Sequence, residues 1–353
     1  MNDLKSWQLG TIFTGSFLGA GFVSGQEIMQ FFGVFGNWGI VGMILSVCLF
    51  GFFGAIFMYL ARQEQKTAID QLVMGDGKTI LHRFLNGISL FFLFGVTVIM
   101  LAGAGSLLNE LLGIPFLVGS AALTILLAIL SLKGMKGILV ISQIVVPVLL
   151  ALVVMIGLLS AIKLEPAEIS ETLVPDGNPL LGNWFLAMIS FFSYNILASL
   201  AVLAPAAHRT SDMKTVIKGI VLGSIQLLLM FACILLSLQR FYGWIEGADF
   251  PMQALAAQLS PIFGILYAVL LLSAMFSGAL ACMYGAAVQM FGEKEQKPSA
   301  MMILWGLAFL CSMFGFKELI SVIFPVCGYA YLIAVPITLW RFLQVRRRAK
   351  QTN

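Results

Sequence analysis

Charge is what this chain of 353 residues has least of: Asp, Glu, Lys and Arg make up 10% of it, against about 25% in an average soluble domain. So little charge cannot clothe a water-exposed surface, which argues against a soluble globular protein. Histidine is scarcer still. The two, His82 and His208, are expected in loops without a carboxylate or cysteine companion, so an enzyme centre has no evident parts and a catalytic function is not expected. The five cysteines, Cys48, Cys233, Cys282, Cys311 and Cys327, all fall inside apolar runs and none pairs in C-x-x-C spacing. Neither a disulfide framework nor a zinc site is indicated. Polar or low-complexity segments are also missing, apart from the last dozen residues. The net charge of +4 is assigned to membrane topology, and no nucleic-acid partner is expected.

What remains is apolar: 60% of residues are hydrophobic, in recurrent runs of about 20, the length that spans a hydrocarbon layer. Breaking the sequence at charged and Gly/Pro-rich clusters predicts ten helices, at 7–32, 37–61, 84–112, 115–132, 138–162, 182–206, 214–240, 261–291, 299–315 and 318–341. The first run is longer than a signal-peptide core of about 7–15 residues, so it is read as a retained helix. Pro115, Pro261 and Pro298 stand at helix starts, whereas Pro147, Pro325 and Pro336 lie within runs and predict kinks.

Basic residues check the count, because a wrong number of spans would scramble their alternation. With the N-terminus inside, the inner segments collect Lys5, Arg62, Lys66, Lys78, Arg83, Lys133, Lys136, Arg209, Lys214, Lys218, Lys294, Lys297, Arg341, Arg346, Arg347, Arg348 and Lys350. Only Lys163, Arg240 and Lys317 fall outside, beside Glu165, Glu168, Glu171, Asp176, Glu246 and Asp249. The expectation is an all-α multi-pass protein of the cell (inner) membrane with ten spans and both termini cytoplasmic. Its oligomeric state is not legible.

Splitting the chain in the acidic outer loop leaves two blocks of five helices, residues 1–165 and 182–341, joined by 166–181 and followed by a basic cytoplasmic tail, 342–353. An odd number of spans per block forces opposite orientations, the inverted-repeat plan of many transporters, in which discontinuous helices carry the site at the bilayer midplane. The first helix of each block is then the place to look. In the first, Gly15, Gly19 and Gly21 crowd a short stretch, followed by Ser24, Gly25, Gln26 and Glu27. Glycine weakens a helix by about 1 kcal/mol relative to alanine, and unwound backbone survives in a membrane only where it is buried in protein or lines a cavity. Gly15 and Gly19 also spell G-x-x-x-G, which alternatively reads as a close-packing face. Glu27 favours a polar pathway, since an ionisable residue inside an apolar run is costly; its alternative is a position near the outer interface, reaching water. In the sixth helix, Ser190, Ser193, Tyr194, Asn195 and Ser199 either mark a second break or serve as interhelical hydrogen-bonding glue.

At these residues the chain resembles the amino acid-polyamine-organocation superfamily with the five-plus-five inverted-repeat, LeuT-like fold, and most closely its short bacterial YkvI-type branch. The resemblance spans nearly the whole chain and is most specific at Gly15-x-x-x-Gly19-x-Gly21, which looks like the unwound substrate-binding turn of sodium-coupled amino-acid symporters. It implies that helices one and six are both discontinuous. It implies a substrate carboxylate received by N–H groups near Gly19, Ala20, Gly21 and Phe22, with Ser193, Tyr194 and Asn195 completing the pocket. It also implies a Na+ held by the carbonyls of Gly15, Leu18 and Ala274 and the hydroxyl of Ser277, although Gly278 stands where relatives carry a second hydroxyl. No other cofactor is expected.

The function this predicts is secondary active transport of a small solute, an amino acid or related zwitterion, by alternating access coupled to Na+ or H+. Gln26 and Glu27 are the coupling or gating residues. A pocket with no deep charge beyond Glu27 is expected to be small and neutral to zwitterion-selective. An uncoupled channel or facilitator, or a membrane sensor on a transporter fold, is the alternative.

Overall fold

A backbone in hydrocarbon must satisfy its own N–H and C=O groups, which leaves the helix as the economical solution for a chain this apolar. The computed structural model describes residues 4–65, 72–73, 80–133, 138–165, 177–210, 212–292 and 298–351, and every regular element among them is helical. The first apolar run forms three pieces, α1 (Ser6–Ser16), α2 (Ala20–Ser24) and α3 (Gln26–Phe31). Next come α4 (Asn37–Glu64), α5 (Ile80–Leu112), α6 (Phe116–Lys133), α7 (Ile138–Lys163), α8 (Trp184–Ala207) and α9 (Met213–Arg240). Two short helices not anticipated from sequence, α10 (Tyr242–Ile245) and α11 (Pro251–Leu259), precede α12 (Pro261–Phe291), α13 (Pro298–Ser312), α14 (Phe316–Tyr331) and α15 (Ala334–Gln351). Lys66, Lys78, Lys136, Glu168, Glu171, Asp176, Lys294, Lys297 and most of the expected outer loop lie outside the described residues.

Six segments, Asn37–Glu64, Ile80–Leu112, Trp184–Ala207, Met213–Arg240, Pro261–Phe291 and Phe316–Arg348, are long and apolar enough to cross a membrane, and Phe116–Ser131, Pro147–Lys163 and Pro298–Ser312 are shorter apolar helices. Their outer faces match the solvent they are built for. Val221, Ile225 and Leu229 form an exposed stripe at i, i+4, i+8 on α9, and Ile262, Ile265 and Val269 form another on α12, an arrangement suited to lipid rather than water. Tryptophans mark the two ends, with Trp7 and Trp340 exposed at one and Trp38 stacked on Trp184 at 5.2 Å at the other. Such aromatic belts sit at headgroup level. The chain is therefore an integral, multi-pass membrane protein.

The end that carries the termini is fastened by polar contacts. Leu4 N–H donates to Arg209 O (2.7 Å), Arg62 donates to the Thr210 carbonyl and hydroxyl (2.5 and 2.6 Å), and Arg341 pairs with Glu64. At the far end, Gln239 donates to Gly36 O (3.0 Å), Asn178 to Ser321 O (2.7 Å) and Trp244 to Glu165 O (3.3 Å).

Several expectations are corrected. The sixth predicted helix is not interrupted: α8 runs unbroken from Trp184 to Ala207 through Ser193, Tyr194 and Asn195. Its sequence holds no glycine, and its polar side chains bond without unwinding the chain: Asn195 donates to Phe191 O (3.1 Å), Ser199 to Ile196 O (2.7 Å) and Ser193 to Gly328 O of α14 (2.8 Å). Of the prolines expected to kink their runs, Pro147 and Pro325 lie inside α7 and α14, which continue past them as helix, and near Pro336 the last span breaks outright at Leu332 and Ile333. That break lies one turn before Pro336, where the proline ring would meet the i−4 carbonyl of Leu332. Residues 342–351 of the basic segment continue α15, which runs from Ala334 to Gln351. His82 is no loop residue but is buried in the first turn of α5.

Helices α1 and α9 pack backbone to backbone. A Cβ on Gly223 would lie 2.7 Å from Gly10 O and 2.7 Å from the Phe13 ring, and one on Gly10 would lie 3.1 Å from Gly219 O. The hydroxyl of Thr14 sits 3.0 Å from Gly223 O and 3.0 Å from Gln226 Oε1. Small residues thus let the two backbones touch. Gly223→Leu is expected to destabilise the protein by about 1–3 kcal/mol, the usual range for overpacking. Gly306→Ala, in open space, should leave stability unchanged or slightly raised; thermal unfolding of both variants in detergent reads the difference.

Candidate functional site

The interruption in the first span begins where helical hydrogen bonding fails. After Ser16 the chain turns at Phe17, Leu18 N–H reaches back only to Gly15 O (3.3 Å), and Gly19 is extended (φ −100°, ψ 170°) before α2 begins. Freed backbone groups are taken up by side chains. Ser16 donates to Phe13 O (2.7 Å), Ser24 donates to Gly21 O (2.8 Å) and receives Gln26 N–H (3.2 Å), and the Tyr267 hydroxyl of α12 donates to Val23 O. A second bend separates α2 from α3 at Gly25, whose φ is +84° and whose Cβ would lie 2.9 Å from Met252 Cγ. Only glycine satisfies both the left-handed backbone and the space.

One turn beyond this bend, α3 points Glu27 into the protein, where it is 4% exposed and is the only buried carboxylate among the described residues. Tyr194 of α8 donates its hydroxyl to Glu27 Oε1, and Asn195 lies beside the same carboxylate. The other oxygen, Oε2, lies 2.8 Å from where a Gly21 side chain would begin, so Gly21 is bare because Glu27 folds over it. Aromatic rings hold the tyrosine in place: Phe324 stacks on it at 5.0 Å with planes 17° apart, and Phe31 and Phe92 approach at 5.9 Å. A lone carboxylate in such surroundings is costly unless it is hydrogen-bonded.

The expected site residues therefore separate into groups. Gly21, Glu27, Tyr194 and Asn195 converge. Gly15 and Gly19 are exposed with open space beside them, while Ala20 is buried and Phe22 packs edge-on against Phe231 of α9 at 4.7 Å. Ser193 faces Gly328 as helix glue. Gln26 lines a cavity at the end opposite the termini. Of the expected cation ligands, Ser277 turns back on its own helix, donating to Ser273 O (3.0 Å) and Ala274 O (3.1 Å), and Gly15 O accepts from Leu18. Among the described residues no three His, Cys, Asp or Glu gather as a metal-binding group. Sequence reasoning missed Tyr267 and Phe324. Tyr267 carried a usable signal, because a tyrosine inside an apolar run must find a partner for its hydroxyl.

No family model matches the chain. It is 29% identical over 344 residues to the uncharacterized membrane protein YkvI of Bacillus subtilis, covering 96% of this chain and 97% of that protein. It is 28% identical over 332 residues to the uncharacterized protein YyaD of the same organism, covering 91% and 92%. Among solved structures it is similar in fold to the manganese transporter of Eremococcus coleocola. The complex with an aromatic bis-isothiourea substituted compound superposes with TM-score 0.62 at 15% identity, and a histidine-to-alanine mutant of that transporter with 0.64 at 16%, each covering 96% of this chain and 78% of that one.

The Tyr194 hydroxyl donates to a buried carboxyl group, whereas the exposed hydroxyl of Tyr329 donates to the carbonyl of Leu180 (2.6 Å). Tyr194→Phe is expected to lower stability by about 1.5–3 kcal/mol, the range for hydrogen bonds to charged groups, and Tyr329→Phe by about 1 kcal/mol or less. Equal losses in detergent unfolding would show that Tyr194 holds no charge-assisted bond.

Proposed function

We propose that this protein is a secondary active transporter of a small solute, an amino acid or related zwitterion, working by alternating access. The observation that carries the reading is the interrupted first span, folded over a buried Glu27–Tyr194 pair at the centre of a bundle whose fold is shared with a solved transporter. Open space beside Gly15 and Gly19 on one side of that pair, with Glu27 and Tyr194 buried on the other, supports a site accessible from one membrane face at a time. The distribution of basic residues supports a cytoplasmic position for the termini and the open side, and the apolar girdle suits the cell membrane.

Helix pairing supports an inverted repeat. Counting α1–α3 as span 1 and α14–α15 as span 10, ten spans result, with α10 and α11 outside the count. Shifting every span by five exchanges the close pair 1 and 7 (α1·α9) with 6 and 2 (α8·α4), and 3 and 10 (α5·α14) with 8 and 5 (α12·α7); all four pairs pack together. The pairs 3 and 8 (α5·α12) and 2 and 7 (α4·α9), which map onto themselves, also pack. Such a map is what two oppositely oriented blocks of five, 1–165 and 182–341, would produce.

The structural neighbour is a manganese transporter, but the donors assembled here, one carboxylate with a phenol and an amide, suit a small organic solute better than a transition metal. Coupling falls to H+ or Na+. Protonation of Glu27 would remove the buried charge that Tyr194 binds, freeing the contact between α3 and α8. Sodium would instead need Ser277 to release its intrahelical bonds and join the carbonyls of Gly15, Leu18 and Ala274.

The test is uptake of small neutral amino acids into proteoliposomes under a pH gradient or a sodium gradient. Glu27→Gln is expected to abolish proton-driven uptake and Ser277→Ala to abolish sodium-driven uptake, so whichever ion couples is identified by one variant alone. Gly21→Leu, which would collide with Glu27, should abolish uptake under either. Flux that ignores both gradients would identify a facilitator, and ligand binding without flux a sensor.

A further inference from the structure

On the outer face of the bundle, toward the end that carries the termini, a groove of about 260 Å³ runs between α5 and α14. Phe84 and Phe91 of α5 and Val326 and Ala330 of α14 wall it, and the first three are exposed. Between the two phenylalanines the α5 wall is bare, because a Cβ on Gly87 would meet nothing within 4 Å. Nearer the middle of α5 the two helices close on each other: a Cβ on Gly95 would lie 2.8 Å from Ile323 Cγ2. At the opposite end of the groove stands Arg83, which lines it and is exposed. Among the described residues no carboxylate lines this groove.

The length of α5 sets the depth of each part. Its 33 residues make about 50 Å of helix at about 1.5 Å per residue, against a hydrocarbon layer about 30 Å thick. About 10 Å is left over at each end. Arg83, in the first turns of α5, therefore stands at headgroup level, while Gly87 and Phe91 reach into the hydrocarbon. From Arg83 to Phe91 the helix rises about 12 Å, less than one leaflet, which is half of that layer. The groove thus has a cation at the depth of the phosphates and an apolar slot directly below it, inside a single leaflet. A basic residue alone near the surface attracts anionic lipid by about 1 kcal/mol without fixing where it sits. Here the slot fixes it, and a guanidinium can hold a phosphate through two parallel N–H donors.

We propose that the groove between α5 and α14 seats one anionic phospholipid of the leaflet on the termini side, with its phosphate on Arg83 and one acyl chain over Gly87 between Phe84 and Phe91. A neutral lipid gains the slot but brings a cation to Arg83 together with its phosphate, and a free phosphate gains only the arginine. The inference goes beyond the transport reading and stands whether or not the protein moves a solute.

The experiment is native mass spectrometry of the purified full-length chain in neutral detergent, titrated with dioleoyl phosphatidylglycerol or dioleoyl phosphatidylcholine. The first phosphatidylglycerol is expected to bind about tenfold more tightly than the first phosphatidylcholine, the equivalent of one charge-assisted hydrogen bond. Arg83→Gln should remove that preference. Gly87→Leu fills the slot from one wall and Ala330→Leu narrows it from the other; each should weaken the first phosphatidylglycerol without lowering the unfolding temperature in lipid-free detergent. Arg347→Gln, which removes the same charge from α15, should leave binding nearly unchanged, and glycerol phosphate should displace nothing. Equal binding of the two lipids by the wild type would overturn the proposal, as would equal weakening by Arg347→Gln and Arg83→Gln, which would mean diffuse attraction. So would undiminished binding with the slot filled, or displacement by glycerol phosphate, which would mark a phosphate site that takes no lipid chain.

Discussion

At Phe17 to Gly19, and again at Gly25, the backbone leaves the helical ladder inside a membrane span, and much of the surrounding structure answers to that fact. Hydroxyls of Ser16, Ser24 and Tyr267 donate to carbonyls that the N–H groups four residues ahead would satisfy in a continuous helix. The bend at Gly25 then turns α3 so that Glu27 returns over Gly21, and the carboxylate in turn needs Tyr194. Tyr194 needs its aromatic neighbours to hold one position. A chain of obligations runs from unsatisfied peptide groups to a polar centre built of parts from α3, α8, α12 and α14.

The contrast between the first and sixth spans shows how the same demand is met differently. Glycine at three nearby positions makes the helix in the first span weak enough to open, and the site gains an irregular backbone. In α8 the same density of polar side chains produces no opening, since Asn195 and Ser199 bond to carbonyls of their own helix and Ser193 bonds to α14. Polar residues in a transmembrane helix can be absorbed by back-bonding or by a neighbour; only the glycines remove the reason to remain helical.

Part of the architecture was legible because lipid imposes a simple grammar: run length foretold the helices, and the glycine cluster the interruption near Gly19. Glu27 and Tyr194 were both marked by being polar where the surroundings are not. Their partnership was not legible, because it depends on the turn at Gly25 and the register of α8 against α3, neither of which leaves a trace in composition. The short helices α10 and α11 escaped for a related reason. They are too short, four and nine residues, to show a helical period in the sequence, and Pro251 at the start of α11 marks a helix only once its context is known.

The backbone contact between α1 and α9 has a mechanical consequence. Two helices brought into contact at Gly10, Gly219 and Gly223, with Leu9 and Phe13 of α1 seated on the bare backbone of α9 and Thr14 bridging them, have little room to slide past each other. They form one stiff lever. With the non-helical residues Phe17 to Gly19 at one end of α1, a rotation of α1 about that point would carry α9 with it.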